Sequence, residues 1–234
     1  EFVGPETPQL SRRPVKAIGH RFDHSHQPNA SRRSRHRSSH SENSYARNTL
    51  LSISRARWGL LAAYMASIRP VNNDDVEHLS EIERSAAQIF RKWPGLEWLA
   101  EGDVMSAERH RELALRHFSW VAVDEDDFPT GFLSAERAGD EMHIWEISVS
   151  ANRQGEGFGS ALLQKAIAEA RDKRLLAVTL TTFSEVPWNA PFYQRLGFRK
   201  LAADDVGKRL NGLLQAEADH GLPIAQRCAM RLML

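Results

Sequence analysis

Three short apolar runs stand in a row, each closed by turn residues, and lead directly into a glycine-rich segment and a long amphipathic pattern. This order constrains the fold more than any other feature of the chain. The runs are "SWVAVD", "PTGFLSAER" and "EMHIWEISVS", with "EDDFP" and "RAGDE" between them. Alternation within the runs and turn formers between them predict an antiparallel meander. The segment that follows, "RQGEGFGSALLQKAIAEARDKR" from Arg153, places three glycines in five residues. Beyond them Leu162, Leu163, Ala166, Ile167 and Ala170 share one helical stripe, with Gln164, Lys165, Glu169 and Arg171 opposite.

The flanking text extends this pattern in both directions. A strand is predicted over 67–71, and "NNDD" then offers capping side chains to a helix carrying Val76, Leu79, Ile82 and Ala86. After a Trp-rich turn, "KWPGLEWLAEGD", a second helix is predicted over 106–116. Downstream come an apolar strand "LLAVTLTTF", a short helix "NAPFYQRLG" with Gly197 as its C-cap, and a polar helix over 206–218. In the last strand, over 223–234, Arg227, Ala229 and Arg231 alternate with Cys228, Met230 and Leu232, which predicts a half-buried strand. The whole reads as an α/β domain over 65–234.

The first 64 residues are a different material. They hold 11 Lys/Arg against 4 Asp/Glu, and the remaining 170 hold 20 against 26, so a formal net charge of +1 conceals halves near +7 and −6. Ser, Arg, His and Asn dominate in stretches such as "NASRRSRHRSSHSENS". Such text buries too little apolar surface to offset its ordering entropy, so residues 1–64 are expected to be a disordered basic leader, and a non-native origin is open. Five histidines lie between His20 and His40, but their irregular spacing without Cys suits a solvated tail better than a metal site. The Arg cluster Arg32, Arg33, Arg35 and Arg37 lacks interleaved aromatics, so nucleic acid is not the expected partner. No apolar run approaches the ~18 to 20 residues of a membrane span. The single Cys228 excludes an internal disulfide and suits a reducing cytoplasm.

A strand feeding a glycine-rich turn that opens a helix makes an anion site. Backbone N–H groups of the first turn are unpaired and the helix dipole adds roughly half a positive charge there. The Walker pattern is excluded, because no Gly-Lys-Ser/Thr follows the glycines. G-x-G-x-x-G is not matched either, since Gly155, Gly157 and Gly159 give G-x-G-x-G. What fits is Q-x-x-G-x-G, with Gln154, Gly157 and Gly159 in register.

In this motif the sequence resembles the GNAT superfamily of N-acetyltransferases. The segment "NAPFYQRLGF" adds to the likeness through Asn189, Tyr193, Gly197 and Phe198, and the element order agrees from about residue 66 to the end. The resemblance implies a mixed, mostly antiparallel sheet of six to seven strands flanked by helices, with a splayed strand pair that holds acetyl-CoA. It implies backbone amides of Gln154, Gly155, Glu156, Gly157, Phe158, Gly159 and Ser160 around the pyrophosphate, with Arg153 adding charge. The strand backbone at Ile147, Ser148 and Val149 should meet the pantetheine arm, and Asn189 and Phe192 should line the cofactor. Glu146 matches the family's general base, its alternative being an exposed strand carboxylate; Tyr193 matches the general acid, its alternative being ring packing. No metal is implied, and homodimers are common in the family.

The amine acceptor is not named by this likeness. Trp93, Trp98, Phe183 and Trp188, near Glu97, Glu101 and Glu185, suggest aromatic walls with acidic rims. These suit a small-molecule amine such as an amino acid, an arylalkylamine or a polyamine. A peptide acceptor and a non-catalytic coenzyme A-binding regulator are the alternatives, and the tryptophans have a second reading as core.

Overall fold

The computed structural model describes residues 67–116 and 118–234, so the expectations for residues 1–64 lie outside the described residues. Within them the chain runs β1 (Ser67–Pro70), α1 (Val76–Ala87), α2 (Ala107–Leu115), β2 (Ser119–Val123), β3 (Pro129–Ala138), β4 (Glu141–Val149) and α3 (Phe158–Asp172). It continues through β5 (Ala177–Phe183), α4 (Ala190–Arg195), β6 (Arg199–Lys200), α5 (Gly207–Asp219) and β7 (Arg227–Met233). The Trp-rich turn winds into two short 3₁₀ stretches, Gln88–Lys92 and Glu97–Glu101. No helix among the described residues is long and apolar enough to cross a membrane.

The strands form one sheet in the order β1-β2-β3-β4-β5-β7-β6. β4 and β5 pair in parallel, and the other neighbours pair antiparallel. On one face Leu162, Leu163, Ala166 and Ala170 of α3 meet Leu133, Ala135, Met142, Ile144, Ile147, Val149, Val178 and Leu180, joined by Phe192, Tyr193 and Phe198. On the other face Leu79 and Ile82 of α1 cover Val121, Val123 and Phe132. Burial of the α3 stripe is complete or nearly so, and each such Leu contributes on the order of 2 kcal/mol.

Two features of β4 position the site. Its register against β3 pairs Ser134 with Glu146 and then Ala135 with Ile144, leaving Trp145 as an extra residue in a bulge. Met142, Ile144, Ile147 and Val149 therefore share the α3 face although the count of residues between them breaks the alternation of a strand. Glu146 and Ser148 fall on the opposite face. The second feature is a short junction: β4 pairs with β5 only from Glu141 to His143, against Ala177 to Thr179. From Leu180 to Phe183 β5 keeps its partner β7, so beyond His143 the two central strands part.

The closed end of this junction is pinned. Glu141 accepts a hydrogen bond from Arg209 of α5 at 2.6 Å and pairs with Arg231 of β7 at 3.0 Å. The Thr179 hydroxyl lies 3.2 Å from His143 Nδ1 and accepts from Arg209 at 3.0 Å.

Local chemistry corrects two expectations. Asn72 supplies the turn ahead of α1, accepting from the amides of Asp74 (2.8 Å) and Asp75 (3.0 Å). Asp75 caps nothing with its side chain and instead holds Arg69 in a two-pronged ion pair at 2.6 and 2.9 Å. The last strand is not alternately buried in the expected way, because Arg227 is buried while Cys228 is only half-buried. By contrast Ser106 caps α2 as its position predicts, accepting from Arg109 N at 3.2 Å.

Candidate active site

The glycine segment folds as a tight connector between β4 and α3. Gly155 and Gly157 have φ of 85° and 91°, a region that side-chain-bearing residues enter at a cost. The first backbone bond of α3 runs from Ala161 N to Gly157 O at 3.0 Å. The amides of Phe158, Gly159 and Ser160 precede it, and no side chain caps this helix end. Gln154 turns back and donates from Nε2 to Val149 O at 3.1 Å, so its side chain braces the loop against the strand end. Arg153 pairs with Glu156 at 3.0 Å and lies over the Phe158 ring at 5.0 Å. Its charge is thus partly neutralised in place.

The gap between the parted strands is bordered by Ile147, Ser148 and Val149 on β4 and runs toward the start of α3. Glu146 lies on the face opposite α3, 0% exposed, and accepts from the Ser148 hydroxyl at 2.8 Å. Its alternative as an exposed carboxylate is therefore overturned: the bulge at Trp145 turns it from the α3 face to the opposite one, which is also closed to solvent there. Tyr193, on α4, is also 0% exposed, and its hydroxyl has no hydrogen-bond partner among the described residues. Burial raises its pKa far above the ordinary phenol value, the charge of Glu146 adds to this, and the charge of Arg227 opposes it. Its ring packs edge-on against Phe192 (5.1 Å) and Phe198 (5.8 Å). A ring packed in the core holds the hydroxyl still.

Asn189 is fully buried at the head of α4, and its carbonyl accepts from the amides of Phe192 (2.8 Å) and Tyr193 (3.2 Å). It sets the orientation of the helix that carries the phenol.

The sequence model of the acetyltransferase (GNAT) family matches residues 81–198, half of the chain. The chain belongs to the GNAT acetyltransferase family. An uncharacterised N-acetyltransferase of Methanocaldococcus jannaschii is 28% identical over 159 residues, 61% of this chain and 64% of that relative. The chain therefore spans somewhat under two thirds of that relative's length. Among solved structures, the PaiA N-acetyltransferase of Thermoplasma acidophilum, crystallised with coenzyme A, superimposes with a TM-score of 0.53 at 17% identity. The match covers 72% of this chain and 98% of that one. The ribosomal-protein-S18-alanine N-acetyltransferase of Escherichia coli superimposes with a TM-score of 0.50 at 17% identity, over 72% of this chain and 94% of that one. At such identities the structures speak for the fold, and they agree with the GNAT architecture expected from the sequence.

In this GNAT chain the residues singled out as acceptor walls divide into two groups. Trp93, Phe183 and Trp188 gather around Phe90. Phe90 lies 5.7 Å from both Phe183 and Trp188, and Trp93 meets Trp188 edge-on at 5.6 Å. Leu96, Leu99, Val186 and Leu222 close the same cluster. Trp98 stands outside it, 45% exposed. Of the acidic rim, Glu185 is exposed and pairs with Lys200 at 3.0 Å, and Glu101 pairs with Arg91.

Sequence reasoning missed a buried polar group on the same sheet face. Arg227 donates from Nε and Nη2 to Glu217 at 2.9 and 2.8 Å, and Thr181 donates to the same carboxylate. Period-two reading placed Arg227 on the outward side of β7. The signal available was its position directly opposite Phe183, at the end of the strand pair, once the register is known.

Proposed function

We propose that the domain over 65–234 transfers the acetyl group of acetyl-CoA to the primary amine of a small molecule in the cytoplasm. The observation that carries this reading is a buried carboxylate, Glu146, whose charge bears on a buried phenol, Tyr193, with an uncapped helix end following the same strand. The fit to coenzyme A rests on that geometry: first-turn amides with no side-chain cap for a pyrophosphate, and a β4 edge that has no β5 partner beyond His143 for an extended amide-bearing arm. Arg153, Glu156 and Phe158 frame the phosphate end, Asn189 and Phe192 the inner end. The bound thioester supplies an acetyl group activated toward nucleophiles.

The chain's own residues then have two tasks. An amine with a pKa near 10.4 is free base only about once in 2,500 at pH 7, a deficit of ~4 to 5 kcal/mol. Glu146, directly or through a water, takes the ammonium proton, and the Ser148 hydroxyl steadies the carboxylate as it does so. As the carbon–nitrogen bond forms and the carbon–sulfur bond breaks, Tyr193 gives its hydroxyl proton to the departing sulfur, and the second proton shed by the acceptor nitrogen as it becomes an amide restores the phenol. Its proton is on oxygen at working pH, as an ordinary phenol's is, and burial keeps it there until sulfur departs. Trp93, Phe183 and Trp188 border the acceptor, with Trp98 further out on the rim.

A second reading, transfer to a peptide N-terminus, is favoured by the fold likeness to the S18-alanine acetyltransferase. A thiol-release assay with acetyl-CoA against small amines and peptides tests both. The proposal expects release with a small amine at a higher kcat/KM than with any peptide; the reverse order favours the second reading, and no release with any acceptor contradicts both.

A further inference from the structure

The guanidinium of Arg227 is buried, its side chain wholly removed from solvent, yet only two of its three nitrogens are used. Nη1 has no hydrogen-bond partner among the described residues. Leaving N–H groups of a buried cation unpaired is costly, so such a group points to a missing acceptor atom. Its surroundings say where that atom belongs. Arg227 opens β7 directly across from Phe183, the last residue of β5, and its guanidinium carbon lies 4.7 Å from the centre of the Phe183 ring. The side chain thus lies over the end of β5, the end at which β5 has parted from β4. Phe183 shares its face with Thr179 and Thr181, which is the face of Glu146, and the Tyr193 hydroxyl feels Glu146 and Arg227 with opposite sign. A buried anion and a buried cation thus both act on the phenol.

An acceptor whose amine faces Glu146 and whose carboxylate faces Nη1 would satisfy both. The pair with Glu217 fixes the guanidinium in place and offsets its charge, so the open nitrogen is a directed donor in a rigid frame. An arylalkylamine or polyamine has no carboxylate to offer there.

We propose that Arg227 is a specificity-determining residue that binds the carboxylate of the acceptor, which makes the substrate class α-amino acids rather than simple amines. This rests on the acetyltransferase reading above and narrows it. The test uses the full chain, acetyl-CoA, and matched pairs consisting of an amino acid and the amine left when its carboxylate is removed: phenylalanine, histidine, lysine and leucine, each also as its amide. In at least one pair the free amino acid is expected to have a kcat/KM at least tenfold above its decarboxylated partner. Arg227→Lys, which can still pair with Glu217, is expected to lower that ratio at least tenfold. A doubly substituted chain, Arg227→Gln with Glu217→Gln, keeps a neutral hydrogen-bonded pair and should lose the same discrimination if the lysine variant does not fold.

Decarboxylated amines used as well as or better than the amino acids in every pair would overturn the proposal, as would a variant that slows both members of a pair by the same factor. Amides equal to the free acids would show that the negative charge is not what is read, and would overturn it too. Absence of transfer to every amine, with coenzyme A bound, is a different result and overturns the acetyltransferase reading itself.

Discussion

At the scale of single residues, the account turns on two protons. Tyr193 has a hydroxyl without a partner among the described residues in a fully buried position, an arrangement that ring packing alone does not require. Tyr193→Phe keeps the packing against Phe192 and Phe198 and removes only the oxygen. Steady-state kinetics are expected to show kcat lowered by about 10² or more, the usual range for loss of an acid catalyst, with the KM for acetyl-CoA changed by less than about threefold. Equal kcat in the two proteins would assign the residue to packing. Glu146 and Tyr193 were legible as candidates through the family likeness, Glu146 by its place in the strand before the glycines and Tyr193 by the spaced segment "NAPFYQRLGF". Arg227 was not, because a strand's alternation assigns faces from its neighbours and cannot see a carboxylate that arrives from α5.

At the scale of elements, the connector from β4 to α3 decides whether the helix end is open. Gly157 holds φ at 91° immediately before the helix, and a side chain there costs ~1 to 2 kcal/mol in backbone strain. Gly157→Ala is therefore expected to lower unfolding free energy in urea by about 1 kcal/mol and to weaken coenzyme A binding several-fold in the same preparation. An unchanged affinity would mean that the amides beyond Gly157 do not hold the ligand. Most elements could be read from the text, since α1, α2, α3 and the meander carry strong periodicity. Two features could not. The bulge at Trp145 leaves no mark in composition, yet it turns Glu146 to the face opposite α3, and the parting of β4 from β5 is a matter of pairing that no single strand encodes. β6 is two residues long and has no periodicity to read.

At the scale of the whole molecule, the sheet separates its tasks by face and by end. The α3 face offers the helix terminus and the phenol, the opposite face the carboxylate and the Arg227–Glu217 pair. The pinned end of the β4–β5 junction keeps the other end apart. That pinning includes a buried histidine: desolvation depresses the pKa of His143 to about 3, with the charge of Arg209 acting the same way. His110, set against Phe132, is depressed to about 4 by burial. Folded, both bind protons less readily than in the unfolded chain, where the value is near 6.5. The stability they permit is fully present above pH 6.5. It falls as pH drops from there toward 4, by up to about 1.4 kcal/mol per pH unit for each group. Urea midpoints measured between pH 7 and pH 4 are expected to decline most steeply below 6.5, and His143→Asn should flatten the slope. A midpoint independent of pH over that interval would contradict the buried, neutral state of these rings.

The most direct measurement is calorimetric titration of the full chain with coenzyme A. One site per chain is expected, with adenosine 3′,5′-bisphosphate competing weakly and coenzyme A itself far better, because the pyrophosphate and its extended arm meet the α3 amides and the open edge of β4. No detectable binding of coenzyme A at millimolar concentration, by a chain shown to be folded, would contradict the account at its root.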